Sequence, residues 1–321
     1  MITLKHIQDA YKNIQSDIRR TPLVYSQELS EISKANVYLK LENFQKTGSF
    51  KIRGVLNKLY GLNEEDFKKT FVAASTGNHA AAFAYASKHF GFEGVLVLPE
   101  RITKAKVKAI ENYDVKKIFY GKNSLEAEEK ATEISRQQNA VLVHPYNDAE
   151  IIAGQGTLGM EIKEQFPDVA YILAPVGGGG LISGLCSYFK ESSSVKVVGC
   201  QPVNAAEMYE SIQNGSIVSP STKDTISDAT AGGIEKDAIT FDICKEYKLY
   251  FELLTEEAIK KALGFIIKHH EMVIEPGASL PVAALMNSSK YRGKNVVLVL
   301  TGKKINKELL NNIMKDDGFD N

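Results

Sequence analysis

The sequence of 321 residues is poor in cysteine and contains only three, Cys186, Cys200 and Cys244. They lie far apart, are odd in number and form no CxxC motif. This pattern excludes a disulfide framework and a cysteine-based zinc site, and it favours buried thiols in a reducing compartment.

The chain also lacks an excess of charge and a long apolar run. Lysine and arginine number 39, as do aspartate and glutamate, so the formal net charge is zero and a nucleic-acid partner is not expected. No run approaches the roughly 18 apolar residues of a membrane span. The amphipathic N-terminal pattern MITLKHIQDAYKNIQ lacks the features of a signal peptide. We therefore expect a cytoplasmic protein.

The remaining composition is ordinary for a globular protein, and at about 100–200 residues per domain the length suggests about two domains. Short apolar runs alternate with helical patterns along nearly the whole chain. Nine strands are predicted, at 37–42, 70–75, 94–99, 116–121, 140–145, 171–176, 195–200, 249–254 and 296–301. Helices are predicted at 51–60, 79–90, 103–113, 124–138 and 256–270. This alternation indicates the α/β class with doubly wound parallel sheets.

In such sheets, ligands bind just beyond the carboxyl ends of the strands. The first segment in such a place consists of four glycines, Gly177, Gly178, Gly179 and Gly180. Their backbone N–H groups are unobstructed at the start of a predicted helix, which suits a phosphate. The segment lacks the GxGxxG and GK[ST] patterns, so the phosphate need not belong to a nucleotide. The alternative is a flexible turn.

The second segment, KTGSFKIRG at 46–54, places Lys51 at the predicted start of a helix. A lysine in such a place is most often a solvated charge. It can attack an aldehyde only if burial or a cationic neighbour lowers its pKa. The apolar neighbours Phe50 and Ile52 are compatible with burial.

The third segment, STGNH at 75–79, follows the predicted strand 70–75. Its hydroxyl, amide and backbone donors at the start of a helix suit a carboxylate or a phenolate oxygen. The alternative is a plain N-cap, with His79 packed at the end of the helix.

In this order, TGSFKIRG, STGNHA and PVGGGG resemble the pyridoxal-phosphate enzymes of fold type II. The resemblance is closest to the branch of serine/threonine dehydratases and serine racemases. It extends to TPL at 21–23, DATAGGIE, EPGAS at 275–279 and VVLVLTGKKI, and therefore covers almost the entire chain.

The resemblance implies how the cofactor, pyridoxal 5'-phosphate, would be held. Lys51 would form the Schiff base and later remove the α-proton of the substrate. The four glycines would bind the phosphate, Asn78 the phenolic oxygen, and Phe50 would pack against the pyridine ring. Thr301 would face the pyridine nitrogen, where a neutral hydroxyl gives a weaker electron sink than a carboxylate and suits loss of a β-hydroxyl.

The same resemblance implies that Ser75, Thr76, Asn78 and His79 surround the substrate carboxylate. Thr76 stands where racemase relatives carry a serine hydroxyl as a second acid–base group. Because the extra methyl of threonine stiffens the side chain, we expect elimination as the main reaction, with racemisation slower.

For the fold, the resemblance implies two doubly wound α/β domains of the tryptophan synthase β-subunit architecture. The large cofactor-binding domain would comprise residues 1–63 and 146–321, and the small mobile domain residues 64–145. The cofactor would lie between them, and we expect a homodimer or a homotetramer.

Two departures from the family's pattern affect the site. Relatives usually follow the pyridine contact with Gly-Gly-Asn, whereas this chain has Gly-Lys-Lys at 302–304, and we expect both lysines to face solvent. Racemase relatives often bind a divalent cation through two acids and a backbone oxygen. Ala205 and Glu207 match this set, but Gln201 replaces an acid and weakens the predicted magnesium site.

The activity implied is deamination of L-threonine or L-serine to a 2-oxo acid and ammonia by β-elimination. We expect a role in amino-acid catabolism, because no regulatory domain follows the last predicted strand. The alternatives are a serine racemase and a dehydratase of another β-hydroxy amino acid such as 3-hydroxyaspartate. TGSFKIRG disfavours a transferase resembling cysteine synthase, and Lys51 beside an intact phosphate loop disfavours a non-catalytic protein.

Overall fold

The computed structural model describes residues 2–100, 102 and 104–316, and its strands form two separate β-sheets. The strands of these residues are β1 (Leu23–Tyr25), β2 (Asn36–Lys40), β3 (Phe71–Ala74), β4 (Gly94–Leu98), β5 (Lys116–Phe119), β6 (Val141–Leu142), β7 (Tyr171–Pro175), β8 (Lys196–Pro202), β9 (Tyr250–Leu254) and β10 (Asn295–Val299).

Helices alternate with these strands, and none of the described helices is both long and apolar enough to cross a bilayer. They are α1 (Leu4–Ile14), α2 (Gln27–Ser33), α3 (Lys51–Tyr60), α4 (Asn78–Phe90), α5 (Lys104–Glu111), α6 (Ser124–Gln138), α7 (Ala149–Gln165), α8 (Gly180–Tyr188), α9 (Glu207–Asn214), α10 (Ile239–Glu246), α11 (Glu256–His270), α12 (Pro276–Met286) and α13 (Lys307–Asp316).

The larger sheet has six strands in the order β1-β2-β10-β7-β8-β9. All its neighbouring strands are parallel except β1, which is antiparallel to β2. The smaller sheet has the order β5-β4-β3-β6 and is parallel throughout. Because parallel strands share one carboxyl edge, the segments that follow β3, β7 and β10 can meet in one place.

The α/β class and the nine predicted strands are confirmed, with ends that differ by a few residues. The apolar pattern does not predict β1, because this edge strand has three residues and two of them, Val24 and Tyr25, are exposed. The predicted helix 103–113 begins outside the described residues, and its described part is α5. The division into domains at residues 63 and 145 stays a prediction.

Helix α7 lies against α3 without room for side chains between the two backbones. A Cβ on Gly154 would lie 2.6 Å from the carbonyl oxygen of Arg53 and 2.7 Å from the Cα of Gly54. Any larger residue at position 154 would push the helices apart. The position of α3, which begins at Lys51, therefore depends on α7.

A fully buried network of four charges also joins these elements. Arg53 donates to both oxygens of Glu42 at 2.8 Å and to Glu161 at 2.8 and 3.0 Å. Lys40 donates to Glu161 at 2.7 Å. All four side chains have no solvent exposure, so two cations and two anions balance inside the protein.

Removing one member of this network should be costly, because the remaining charges stay buried without a partner. We expect Glu161→Ala to lower the free energy of unfolding by about 3–5 kcal/mol, measured by urea denaturation. The control is Glu164→Ala on the same helix, whose carboxylate pairs with Arg20 at the surface at 3.3 Å. This control should lose less than about 1 kcal/mol, and equal losses would contradict the prediction.

Candidate active site

A cavity of about 840 Å³ opens beyond the carboxyl ends of the strands and brings the three predicted segments together. Its wall contains residues that follow β3, β7 and β10, together with Lys51 at the start of α3. The residues predicted from separate parts of the sequence therefore line one space.

Backbone pairing places Lys51 at this cavity. The N–H of Phe50 donates to the carbonyl of Thr301 at 3.1 Å, and the N–H of Lys303 donates to the carbonyl of Gly48 at 3.1 Å. These bonds fix the turn before α3 against the chain just beyond β10. Lys51 and Thr301 are thus neighbours although 250 residues separate them in the sequence.

The amine of Lys51 donates to the carbonyl of Pro145 at 2.8 Å and lies 5.3 Å from the centre of the Phe50 ring. Burial lowers the pKa of Lys51 to about 8. Because only a neutral amine has a free electron pair, this shift makes Lys51 a better nucleophile near neutral pH than an exposed lysine.

The four glycines form the turn between β7 and α8, which begins at Gly180. Gly179 has φ of +91°, and a Cβ there would lie 2.8 Å from Met208 and 2.9 Å from Thr240. A Cβ on Gly178 would lie 2.4 Å from the ring of Tyr146. Side chains are therefore excluded, and the backbone N–H groups at the start of α8 form a cradle for an anion such as phosphate.

The segment 75–79 forms the turn between β3 and α4 and lines the cavity. The hydroxyl of Ser75 accepts from the N–H of Gly77 at 3.1 Å, while Thr76 is partly exposed on the cavity wall. His79 is buried, its Nε2 donates to the carbonyl of Val143 at 2.7 Å, and burial lowers its pKa to about 3. The imidazole of His79 is therefore uncharged at neutral pH and cannot form an ion pair with the carboxylate of a ligand.

Glu275, the first residue of the EPGAS motif, lines the cavity, and the sequence patterns do not predict a role for it. Asn78 donates to one oxygen of its carboxyl group at 2.6 Å, and Thr301 donates to the other at 3.1 Å. Burial raises the pKa of Glu275 to about 7. Glu275 therefore couples the two side chains predicted to contact the pyridine ring.

A second acidic residue, Glu128, also lines the cavity, and burial raises its pKa to about 8. Tyr146 donates to its carboxyl group at 3.2 Å. Nearby, the Nδ1 of His144 accepts from the N–H groups of Tyr146 and Asn147, so its proton resides on Nε2, 3.1 Å from Glu235. The ligand atoms of Glu128, His144 and Glu235 lie within 4.8 Å of one another and form a compact cluster beside the cavity.

The two lysines after Thr301 differ in environment. Both line the cavity, but Lys303 is exposed, as predicted, whereas Lys304 is partly buried. The amine of Lys304 donates to the carbonyl of Gly77 at 3.0 Å and to the hydroxyl of Tyr113 at 3.2 Å. The prediction that both lysines face solvent is therefore wrong for Lys304.

The residues predicted to bind magnesium already have protein partners. The side-chain oxygen of Gln201 accepts from the N–H of Tyr209 at 2.9 Å, and Glu207 accepts from the backbone of Gly232–Gly233. Ala205 is buried in the short turn just before α9. The geometry of these residues gives the magnesium site no support, and the site stays a prediction.

Comparison with known proteins identifies the family. The family described as pyridoxal-phosphate dependent enzyme matches residues 14–302, and the chain belongs to it. The L-threonine ammonia-lyase of Thermotoga maritima is 40% identical over 315 residues, which cover 98% of this chain and 78% of that protein.

A catabolic L-threonine dehydratase of Staphylococcus aureus is 36% identical over 311 residues, 95% of this chain and 90% of that protein. The solved structure of maize serine racemase has a TM-score of 0.89 at 27% identity and covers 98% of this chain and 97% of its own. These similarities confirm the expected family and the fold type II architecture.

The lowered pKa of Lys51 predicts when its amine reacts. The neutral, nucleophilic form should increase through a midpoint near pH 8, well below the pH of about 10.4 at which an ordinary lysine loses its proton. Cofactor-free protein treated with formaldehyde and cyanoborohydride from pH 6 to 10 tests this, with methylation of each lysine followed by peptide mass spectrometry. If Lys51 were modified in parallel with the exposed Lys5 at every pH, its burial would not control its reactivity.

Proposed function

We propose that the protein is an ammonia-lyase that converts L-threonine or L-serine to a 2-oxo acid and ammonia. The observation that carries this proposal is the amine of Lys51, with its lowered pKa, in the same cavity as the glycine cradle. The names of the two relatives at 40% and 36% identity support the same reaction.

The residues present fit pyridoxal phosphate, because the cavity combines a reactive amine with an anion cradle that excludes side chains. The glycines Gly177–Gly180 would hold the phosphate, Phe50 would pack against the ring, and Asn78 and Thr301 would contact its polar atoms. When bound, the cofactor withdraws electrons from the α-carbon of the substrate and makes the α-proton acidic.

Lys51 would hold the cofactor and would accept the α-proton of the bound substrate. The Pro145 carbonyl at 2.8 Å orients the amine, and the pKa near 8 allows it to exchange protons near neutral pH. The α C–H and β C–O bonds break, and water leaves. The proton that Lys51 receives balances the one that the departing hydroxyl needs, and the released enamine hydrolyses to the 2-oxo acid and ammonia.

The substrate carboxylate would lie at the start of α4, where the hydroxyls of Ser75 and Thr76 and the backbone N–H groups provide donors. His79 would shape this wall as a neutral group, since its pKa is about 3. We also propose that residues 64–145 are the small domain, because the smaller sheet uses only strands from this range.

Serine racemisation is the second candidate, because the hydroxyl of Thr76 lies on the cavity wall. Racemisation needs an acid–base group on the face of the α-carbon opposite Lys51. The threonine methyl restricts the hydroxyl, so we propose elimination as the main reaction.

The reaction is tested by supplying the cofactor-loaded protein with L-threonine and L-serine and measuring 2-oxo acid and D-enantiomer together. Lys51→Ala should lose the covalent link to the cofactor and reduce turnover at least about a thousandfold, because the general base is removed. Lys58→Ala on the same helix is the matched control and should keep both. Wild-type protein that forms D-serine faster than pyruvate would overturn the assignment in favour of the racemase.

The role of Thr76 is tested by the ratio of the two products from L-serine. Thr76→Ala should reduce formation of D-serine far more than formation of pyruvate, because only racemisation uses the hydroxyl. Thr76→Ser should raise D-serine formation several-fold, since serine lacks the stiffening methyl. A parallel change of both products in both variants would show that Thr76 only binds the substrate.

A further inference from the structure

Lys304 gives the cavity a second amine that the proposed elimination does not use. It follows Thr301 by three residues and contacts the segment 75–79 at Gly77. Its amine donates to Gly77 O at 3.0 Å and Tyr113 Oη at 3.2 Å. Both partners are neutral acceptors.

Within residues 2–100, 102 and 104–316, no carboxylate lies within ion-pair distance of the Lys304 amine. Glu275 is near enough to favour the charged form, but burial lowers the pKa of Lys304 to about 8. An ammonium group has three N–H donors, and two of them have the partners named above. A partly desolvated cation without an anionic partner is unfavourable, and an anionic ligand would stabilise it.

The α-carboxylate of the substrate is not well placed to be that anion. In the trans peptide between Gly77 and Asn78, the C=O and N–H groups point in opposite directions. Lys304 contacts the carbonyl, whereas a carboxylate held by the start of α4 needs the N–H groups. The anion that Lys304 suits therefore lies beyond the α-carboxylate site.

Tyr113 completes the same subsite. Burial raises the pKa of its hydroxyl, so it remains protonated at neutral pH. Having accepted a hydrogen bond from Lys304, the hydroxyl can still donate its own proton to an oxygen of the ligand. An ammonium group and a phenol side by side can both donate hydrogen bonds to a carboxylate. The methyl group of threonine can accept neither bond.

We propose that Lys304 and Tyr113 bind a second carboxylate on the β-carbon of the substrate, so that the enzyme acts on acidic β-hydroxy amino acids of the 3-hydroxyaspartate class. This inference rests on the proposed function and specifies its substrate. Lys304 and Tyr113 line the same cavity of about 840 Å³ as Lys51 and the glycine cradle.

The test compares holoenzyme variants on L-threo-3-hydroxyaspartate and L-threonine. Lys304→Met should lower the ratio of the two kcat/KM values about 10- to 100-fold, mainly through KM for the acidic substrate, because a charge-assisted hydrogen bond is lost. Lys304→Arg should restore most of the ratio. Lys307→Met, which removes an exposed amine that does not line the cavity, is the matched control and should not change it.

Equal losses on both substrates in Lys304→Met would overturn the proposal, since Lys304 would then serve the α-carboxylate or the structure of the site. A wild-type enzyme that deaminates L-threonine but not the acidic substrate would also overturn the proposal. The ammonia-lyase assignment would then still stand.

If wild-type protein deaminates neither substrate, the proposed function fails. The subsite of Lys304 and Tyr113 is then tested by amino-acid binding alone. The cofactor absorbance is then titrated with L-aspartate and with L-alanine. Tighter binding of L-aspartate that is lost in Lys304→Met supports the subsite, and equal binding of the two amino acids overturns it.

Discussion

The ion network of Arg53 with Glu42 and Glu161 is the interaction on which the site depends. Arg53 lies two residues after Lys51 on α3, so the two side chains leave the helix about 200° apart. One points into the charged interior and the other into the cavity. Because the paired charges are fully desolvated and have one good arrangement, they hold the helix in a single rotation. A structural ion network thus determines the direction of the reactive amine.

Low solvent access then sets the protonation states around the cavity. The same desolvation lowers the pKa of Lys51 to about 8 and that of His79 to about 3, and raises that of Glu275 to about 7. Buried cations lose their protons more easily and buried acids hold theirs longer, so burial favours the uncharged form of each group. The cavity is therefore suited to moving protons among weak acids and weak bases.

Most of the fold and the main segments of the site could be predicted from the sequence, because they depend on local patterns. Apolar runs predicted the strands, and consecutive glycines predicted the cradle. Glu128 and Glu275 could not be found in this way, since their importance comes from partners far away in the chain. Lys304 shows the limit most clearly: a lysine next to an exposed lysine reads as a surface charge, and only the contact with Gly77 and Tyr113 brings it inside.

The position of β10 has a consequence for how the protein is made. It is the last of the described strands along the chain, yet it lies between β2 and β7 in the middle of the larger sheet. Until it inserts, the sheet has a gap and the turn before Lys51 lacks its partner at Thr301. During synthesis, the chain through the end of β10 must leave the ribosome before this partner is in place. Until β10 inserts, the incomplete sheet exposes two unpaired strand edges. Such edges promote aggregation, so this stage of folding is the one at which binding by a chaperone would help most.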